Sequence, residues 1–209
     1  MKHKILSIVT VLSIMYSCKN ESKTTESYDT DTDQEQVIET PKSQVPDTPT
    51  TTAVATSDLE QDVQNFITCK KAETERNDCR NSITKIISKR FDLMEFNDPK
   101  LGYVVFDSIR PIAERSKHWI QLGTITQETI DQALAHTNRG GLSLIIDTAN
   151  PYGHVVMIVP GESKKSGSWG MKLPNVLSLA NHKPEKSFSD KPLSYAMTQS
   201  EDVKIYLRQ

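Results

Sequence analysis

Residues 142–161, "LSLIIDTANPYGHVVMIVPG", contain two apolar runs that a polar turn joins. The first run, 142–147, and the second, 154–159, are short, rich in branched aliphatic residues and bounded by Gly and Pro, which is typical of buried strands. The turn "PYG" brings the second run back beside the first. His154 stands at the start of the second run, where it is either a structural residue or a base held by a rigid strand.

The sequence before this stretch has the spacing of helices. Ser57 is a suitable N-cap for a helix that starts at Asp58. Asn77 or Asp78 can cap a second helix, and Thr126 can cap a third. The apolar stripes of the three helices are, in chain order, Leu59, Val63, Phe66 and Ile67; Ile83, Ile86, Ile87 and Phe91; and Ile130, Ala133 and Leu134.

Further strands are predicted after the central stretch. They cover 168–173 ("SWGMKL"), 192–197 ("PLSYAM") and 202–208 ("DVKIYLR"), the last as an edge strand. The segment 103–109, "YVVFDSI", fits either a short strand or the start of a helix. Because helices come first and strands follow, we expect an α+β fold with its helices packed on one face of an antiparallel sheet.

The N-terminal segment has the features of an export signal. Lys2 and Lys4 precede a short apolar run, residues 5–15, that is too short to span a bilayer. Ser17 then stands before Cys18, and "MYSC" resembles the lipobox of bacterial lipoproteins. That resemblance implies a signal peptide at 1–17, a lipidated Cys18 that anchors the chain to a membrane, and a place in the bacterial cell envelope, on the outer membrane or facing the periplasm. The alternative is an ordinary secretory signal with an incidental cysteine.

A polar segment separates this signal from the predicted domain. Residues 19–57 carry three basic and eight acidic side chains and are rich in Thr, Ser and Pro, so we expect 18–57 to be a disordered tether. Residues 58–209 hold 20 basic and 19 acidic side chains, enough chain for one domain with a single core. No basic face is evident, which argues against a nucleic-acid partner.

Cys79 and His154 are the candidate nucleophile and base. Cys79 follows the predicted cap of the second helix, where unpaired N–H groups lower the pKa of a thiol. His154 opens a buried strand that fixes its backbone, and only the fold can bring together two residues that stand 75 positions apart. A thiolate beside an oriented base is the arrangement that cysteine hydrolases need.

These segments resemble the papain-like cell-wall amidases of the NlpC-type and CHAP groups. The matching pieces are Cys79 with "RNSITKII", the strand at 140–146, and "GHVVMIVPG" at 153–161. The resemblance implies a papain-like fold and a peptidase or amidase that hydrolyses amide bonds in peptidoglycan peptides. In such a reaction Cys79 attacks the carbonyl, His154 protonates the leaving amine, and no cofactor is required.

The resemblance also implies a third polar residue about one strand after the histidine. Ser168 and Asn175 both lie at suitable distances in the sequence. We take Ser168 as the catalytic candidate, and Asn175 and Trp169 as candidate substrate-binding residues. By itself, Trp169 fits a core position or a cleft wall better than a platform for a ligand.

A non-catalytic interpretation stays open. Cys69 and Cys79 are ten residues apart in an exported chain, so a disulfide between them is allowed and would consume the nucleophile. The protein would then be an envelope lipoprotein that binds wall peptide or a protein partner, or an immunity protein that guards against such amidases. No Cys/His pair has the spacing of a zinc site, and no glycine-rich loop has the pattern that cradles phosphate.

Overall fold

A six-stranded antiparallel sheet organises the computed structural model, which describes residues 56–72 and 78–209. These residues belong to one of the two units into which the chain divides, Thr48–Gln209. The predicted signal peptide 1–17, the lipidation site Cys18 and the tether as far as residue 55 lie outside the described residues. Within the described part of the chain, no helix is both long enough and apolar enough to cross a membrane.

The helices are α1 (Thr56–Lys71), α2 (Ser82–Phe91), α3 (Ile109–Arg115) and α4 (Gln127–Asn138). The strands are β1 (Asn97–Asp98), β2 (Gly102–Tyr103), β3 (Trp119–Thr124), β4 (Leu142–Asp147), β5 (Val155–Ile158), β6 (Lys164–Ser166), β7 (Met171–Leu173), β8 (Asn175–Ser178), β9 (Phe188–Pro192) and β10 (Val203–Arg208). The main sheet has the order β3-β10-β4-β5-β8-β9, and β1/β2 and β6/β7 form two small hairpins. The fold is therefore α+β with an antiparallel sheet, as the sequence predicts.

The helices cover both faces of the sheet, which corrects the expectation of one covered face. Side chains alternate along β4, so Leu144 packs in the cluster under α1, α2 and α3, while Ile145 packs in the cluster under α4. The run 142–146 is buried throughout because both of its faces meet apolar side chains. An unbroken apolar run thus indicates two covered faces, a signal that the order of helices and strands alone does not carry.

The helix starts differ from the predicted caps in two of three cases. The first helix begins at Thr56, two residues before Asp58. A 3₁₀ turn, Asp78–Asn81, precedes α2, whereas Asn77 lies outside the described residues. Thr126 is confirmed as the N-cap of α4, since its Oγ1 accepts a hydrogen bond of 3.1 Å from the Thr129 N–H in a capping box.

The C-terminal strand predictions need correction. The strand β10 lies inside the sheet between β3 and β4, although its alternating Lys and Arg suggest an edge. The strand predicted at 192–197 is wrong, because β9 ends at Pro192 and residues 193–195 form a 3₁₀ turn. Segment 103–109, which fitted either a strand or a helix start, leads through a 3₁₀ turn into α3. The strands β3, β8 and β9 were not predicted; β8, at four residues, is too short for a clear period.

The turn between β4 and β5 is closed by Gly153. Its N–H donates to the Asn150 carbonyl at 3.0 Å, and the next carbonyl, that of His154, accepts from the Asp147 N–H at 2.9 Å. A Cβ at position 153 would lie 1.7 Å from the Asp147 carbonyl oxygen, a distance no side chain tolerates. Glycine is required here because the backbones of the turn and of β4 approach so closely.

We predict that Gly153→Ala lowers the free energy of unfolding by about 2 kcal/mol, because the turn must open to admit the methyl group. Gly167→Ala is the matched control, since a Cβ there meets no atom within 4 Å. The control should stay within about 0.5 kcal/mol of the wild type. Chemical denaturation of the three proteins measures the difference, and equal stabilities would show that the turn does not depend on Gly153.

Candidate functional site

Cys79 lies in the 3₁₀ turn that precedes α2, whereas the sequence predicts it in the first turn of that helix. Its side chain is 2% exposed. Neighbouring side chains hold the turn: Arg80 Nη2 lies 2.8 Å from Asp107 Oδ2, and Asn81 Nδ2 donates to the Leu101 carbonyl at 3.3 Å. The backbone around Cys79 is therefore tied to two segments that follow α2.

A disulfide joins Cys79 to Cys69, near the end of α1. The two Cα atoms are 6.0 Å apart, a usual separation for a disulfide. The two cysteines are thus bridged, which is one of the two alternatives that the sequence left open. In this state Cys79 has no thiol to ionise, and the bond closes a short loop between α1 and the turn of Cys79.

His154 directly precedes β5 and is partly buried. Its Nε2 lies 2.8 Å from the hydroxyl oxygen of Ser178, whose side chain is 2% exposed. Burial lowers the pKa of His154 below its ordinary value of 6.5, and the negative charge of Asp147 opposes this shift with a smaller effect. The imidazole is therefore neutral at pH 7 in this environment.

Cys79 and His154 line the same narrow cavity. Its volume is about 10 Å³, which is room for about one water molecule. The walls include Phe66 of α1, Ile83 of α2 and Asn181, which follows β8. The packing of α1 and α2 on the sheet beside the start of β5 brings together two residues that stand far apart in the sequence, as the candidate pair requires.

Ser178, and neither Ser168 nor Asn175, supplies the side chain that contacts His154. The register of β5 and β8 pairs Val156 with Ser178, so His154, two residues before Val156, is a diagonal neighbour of Ser178 on one face. The segment "NVLS" after Pro174 was not recognised as a strand, and without β8 this register cannot be derived. A strand prediction there would have been the only signal for Ser178.

The other predicted site residues lie elsewhere. Ser168 is 3.2 Å from the Ser166 hydroxyl and lines a separate surface cavity. Asn175 opens β8 at the end away from Ser178 and lines a cavity with residues of α1. Trp169 is 8% exposed and packs in the core cluster under α4, and it lines neither cavity that contains His154. Trp169 is therefore a core residue, which corrects its assignment to substrate binding.

An open cleft adjoins His154 on the side of β8. It has a volume of about 370 Å³ and also includes Ser178 and Asn181. Two exposed aromatic side chains, Tyr152 and Tyr195, stand on its walls. Because His154 and Asn181 line both spaces, the cleft and the narrow cavity share a wall, and a ligand in the cleft lies next to the imidazole.

A second open cavity, of about 670 Å³, lies on the side of α1 and α2. Both bridged cysteines line it, together with Phe66 and Tyr103. Cys79 therefore separates this larger cavity from the narrow one that it shares with His154. Among residues 58–72 and 79–209, no group of three or more His, Cys, Asp or Glu side chains is arranged to hold a metal ion.

We predict a pH dependence of stability that belongs to His154. Because its pKa is lower in the folded state, the unfolded chain binds the proton more readily, and stability falls as pH drops below about 6.5. At higher pH both states are neutral at this residue, so its effect vanishes. His154→Gln should flatten this slope in denaturation curves taken from pH 7.5 to 5, and an unchanged slope in this variant would contradict the assignment.

No protein-family model matches the chain, and no curated protein matches it significantly.

Proposed function

We propose that the domain is a cysteine hydrolase that cleaves amide bonds in peptidoglycan peptides once Cys79 is reduced. The observation that carries the proposal is the narrow cavity lined by both Cys79 and His154, 75 residues apart in the sequence. Core packing alone does not explain why a cysteine and a histidine line one cavity beside an open cleft. A nucleophile and its base must lie close together in this way.

The polar contacts fit the roles of the two side chains. The Ser178 hydroxyl can accept a hydrogen bond from His154 Nε2–H, which leaves the lone pair on Nδ1. No hydrogen bond within the described residues occupies that Nδ1. A reduced Cys79 would give its proton to Nδ1, so Ser178 acts as the positioning residue that selects the tautomer.

The reaction would run through a thioester. The Cys79 thiolate attacks the amide carbonyl, His154 protonates the leaving amine, and a water molecule activated by His154 then releases the acid. This is the mechanism of the papain-like amidases that the sequence resembles, with Ser178 as the third polar residue and the α+β sheet as the support.

The disulfide makes the described state a latent one. A dithiol reductant supplies two electrons that break the Cys69–Cys79 bond; the two sulfurs take up its two protons, and the reductant becomes a disulfide. With an export signal and a lipid anchor at Cys18, the enzyme would act on wall peptides from a membrane, at the reach that the tether allows.

The same disulfide favours a second candidate, a non-catalytic binding protein of the cell envelope. A bridge between the end of α1 and the turn before α2 stabilises both elements against unfolding by about 3 kcal/mol. Cys79 is only 2% exposed, which suits a structural disulfide. In this candidate the cleft beside His154 binds wall peptide or a protein partner without chemistry.

Two variants that both lack the bridge separate the candidates. We predict that Cys69→Ala hydrolyses muropeptides without a reductant, because it frees Cys79, whereas Cys79→Ala is inactive with or without reductant. The wild type should become active only when reduced. The measurement is the appearance of new amino groups in a muropeptide digest, followed by mass spectrometry of the products.

Both variants lose the same bond, so a difference in activity between them reports chemistry rather than stability, and circular dichroism verifies that each is folded. Hydrolysis by Cys79→Ala at the level of Cys69→Ala would refute the nucleophile. Inactivity of both Cys69→Ala and the reduced wild type would leave the non-catalytic candidate in place.

We further predict that Ser178→Ala lowers the rate constant of the reduced enzyme about tenfold or more, because the imidazole loses the partner that orients it. Ser168→Ala is the matched control and should keep the full rate, since its hydroxyl contacts only Ser166 among the described side chains. The comparison uses kcat as the readout, with the pH profile of kcat/KM recorded for both. A normal rate in Ser178→Ala would remove that residue from the mechanism.

A further inference from the structure

The cleft beside His154 has a one-sided charge. Lys183 and Lys186 are its charged lining residues, and no Asp or Glu lines it. Glu185 stands between the two lysines in the sequence but is not part of the lining. None of the salt bridges between described residues uses either lysine. Two cations that face a concave space with no anion beside them indicate a site for a negatively charged ligand.

The two lysines flank and end a short ordered segment. Residues 184–186 form a 3₁₀ turn, in which the Lys186 N–H donates to the Lys183 carbonyl at 2.8 Å. The Ala180 N–H donates to Ser187 Oγ at 2.9 Å and closes the base of this segment. Lys183 directly precedes this turn and Lys186 ends it, and both residues line the cleft. The backbone that carries the two charges is therefore ordered before any ligand arrives.

Asn181 adds an unused acceptor at the inner end of the cleft. Its Oδ1 is fully buried, and no hydrogen bond from the described residues reaches it. A buried carbonyl oxygen without a partner is unfavourable, and an N–H donor of a ligand would relieve that cost once the Asn181 side chain turns toward the cleft. Because Asn181 lines both the cleft and the narrow cavity of Cys79 and His154, this acceptor stands next to the proposed reacting groups.

The walls of the cleft suit a chain with peptide-like shape. Tyr152 is 71% exposed and Tyr195 is 70% exposed, so each offers a flat apolar face and a hydroxyl to a ligand. Such large exposed aromatic side chains are typical of binding sites. A flat lipid surface would not use a concave site of about 370 Å³ with a buried acceptor at its inner end.

We propose that this cleft selects an anionic peptide, with Lys183 and Lys186 paired to its carboxylates, Tyr152 and Tyr195 packed against it, and Asn181 Oδ1 accepting from one of its amide N–H groups. The bond that is cut rests on the proposed function, whereas the preference of the cleft for carboxylate-bearing peptides is a separate claim. It assigns Lys183 and Lys186 as specificity-determining residues rather than catalytic ones.

Binding to the oxidised full chain tests the cleft without turnover, because Cys79 is held in the disulfide. The probe is a muropeptide digest with free carboxylates, compared with the same digest after its carboxylates have been amidated. We expect the wild type to bind the free form about 3- to 10-fold more tightly, and added salt to reduce that ratio. The double variant Lys183→Gln/Lys186→Gln should bind the free and the amidated digest equally. The control variant Lys100→Gln/Lys117→Gln, changed on other parts of the surface, should keep the preference of the wild type.

The variant Asn181→Ala tests the hydrogen bond to the peptide backbone separately from the ion pairs of the two lysines. It should weaken the free and the amidated forms by the same factor, about 3- to 10-fold, because both keep their N–H groups. Equal binding of the two digests by the wild type, or an equal loss in both lysine pairs, would overturn the proposal. A lysine-dependent affinity for phosphatidylglycerol vesicles in place of muropeptides would likewise overturn it, in favour of a membrane surface.

The two proposals fail in different ways. Selective binding by the oxidised chain without hydrolysis by the reduced chain would remove the enzyme and keep the anionic cleft. Hydrolysis by the reduced chain with no preference for free carboxylates would keep the enzyme and remove the cleft.

Discussion

The rest of the domain depends on the pairing of β4 with β5. These two strands are buried on both faces, so the three N-terminal helices can pack on one side and α4 on the other. The turn that joins them admits only glycine at position 153, since the Asp147 carbonyl occupies the place of a Cβ. The same turn fixes the position of His154 directly before the second strand. Core packing and the position of the candidate base thus follow from one short stretch of chain.

The sequence predicts this central pair well because its signal is local. Two apolar runs and a Pro-Gly turn are sufficient to place β4 and β5 within one or two residues. Thr126 as an N-cap is predictable for the same reason, since a cap depends on the next three residues. The covering of both faces was missed because the order of elements suggests, but does not determine, which face each helix takes.

The candidate site could be predicted only in part, because it depends on register. Cys79 and His154 are recognisable by residue type and by their positions at the starts of elements. Ser178 is not, since its role follows from β8 lying beside β5 in one particular register. Ser168 and Asn175 were plausible from distance along the chain, yet Ser168 lies in the turn of the β6/β7 hairpin and Asn175 lies at the end of β8 away from Ser178. Distance in sequence predicts proximity only when every strand between is known.

The disulfide affects Cys79 in two ways. As a covalent link it fastens α1 to the turn before α2, and as a blocked thiol it withholds the proposed nucleophile. Stability and reactivity then oppose each other: a domain that gains activity by reduction also loses about 3 kcal/mol of its folding free energy. Such a protein needs a core that is stable without the bridge, and the two apolar clusters on either side of the sheet are the elements that would supply it.

The location of Cys79 between two cavities has a consequence for access. Both bridged cysteines line the wide cavity of about 670 Å³ on the side of α1 and α2, whereas the cleft beside His154 lies on the side of β8. A reducing partner and a substrate would therefore use separate entrances. The activating step would not compete with substrate for space, and a bound peptide would not shield the disulfide from reduction.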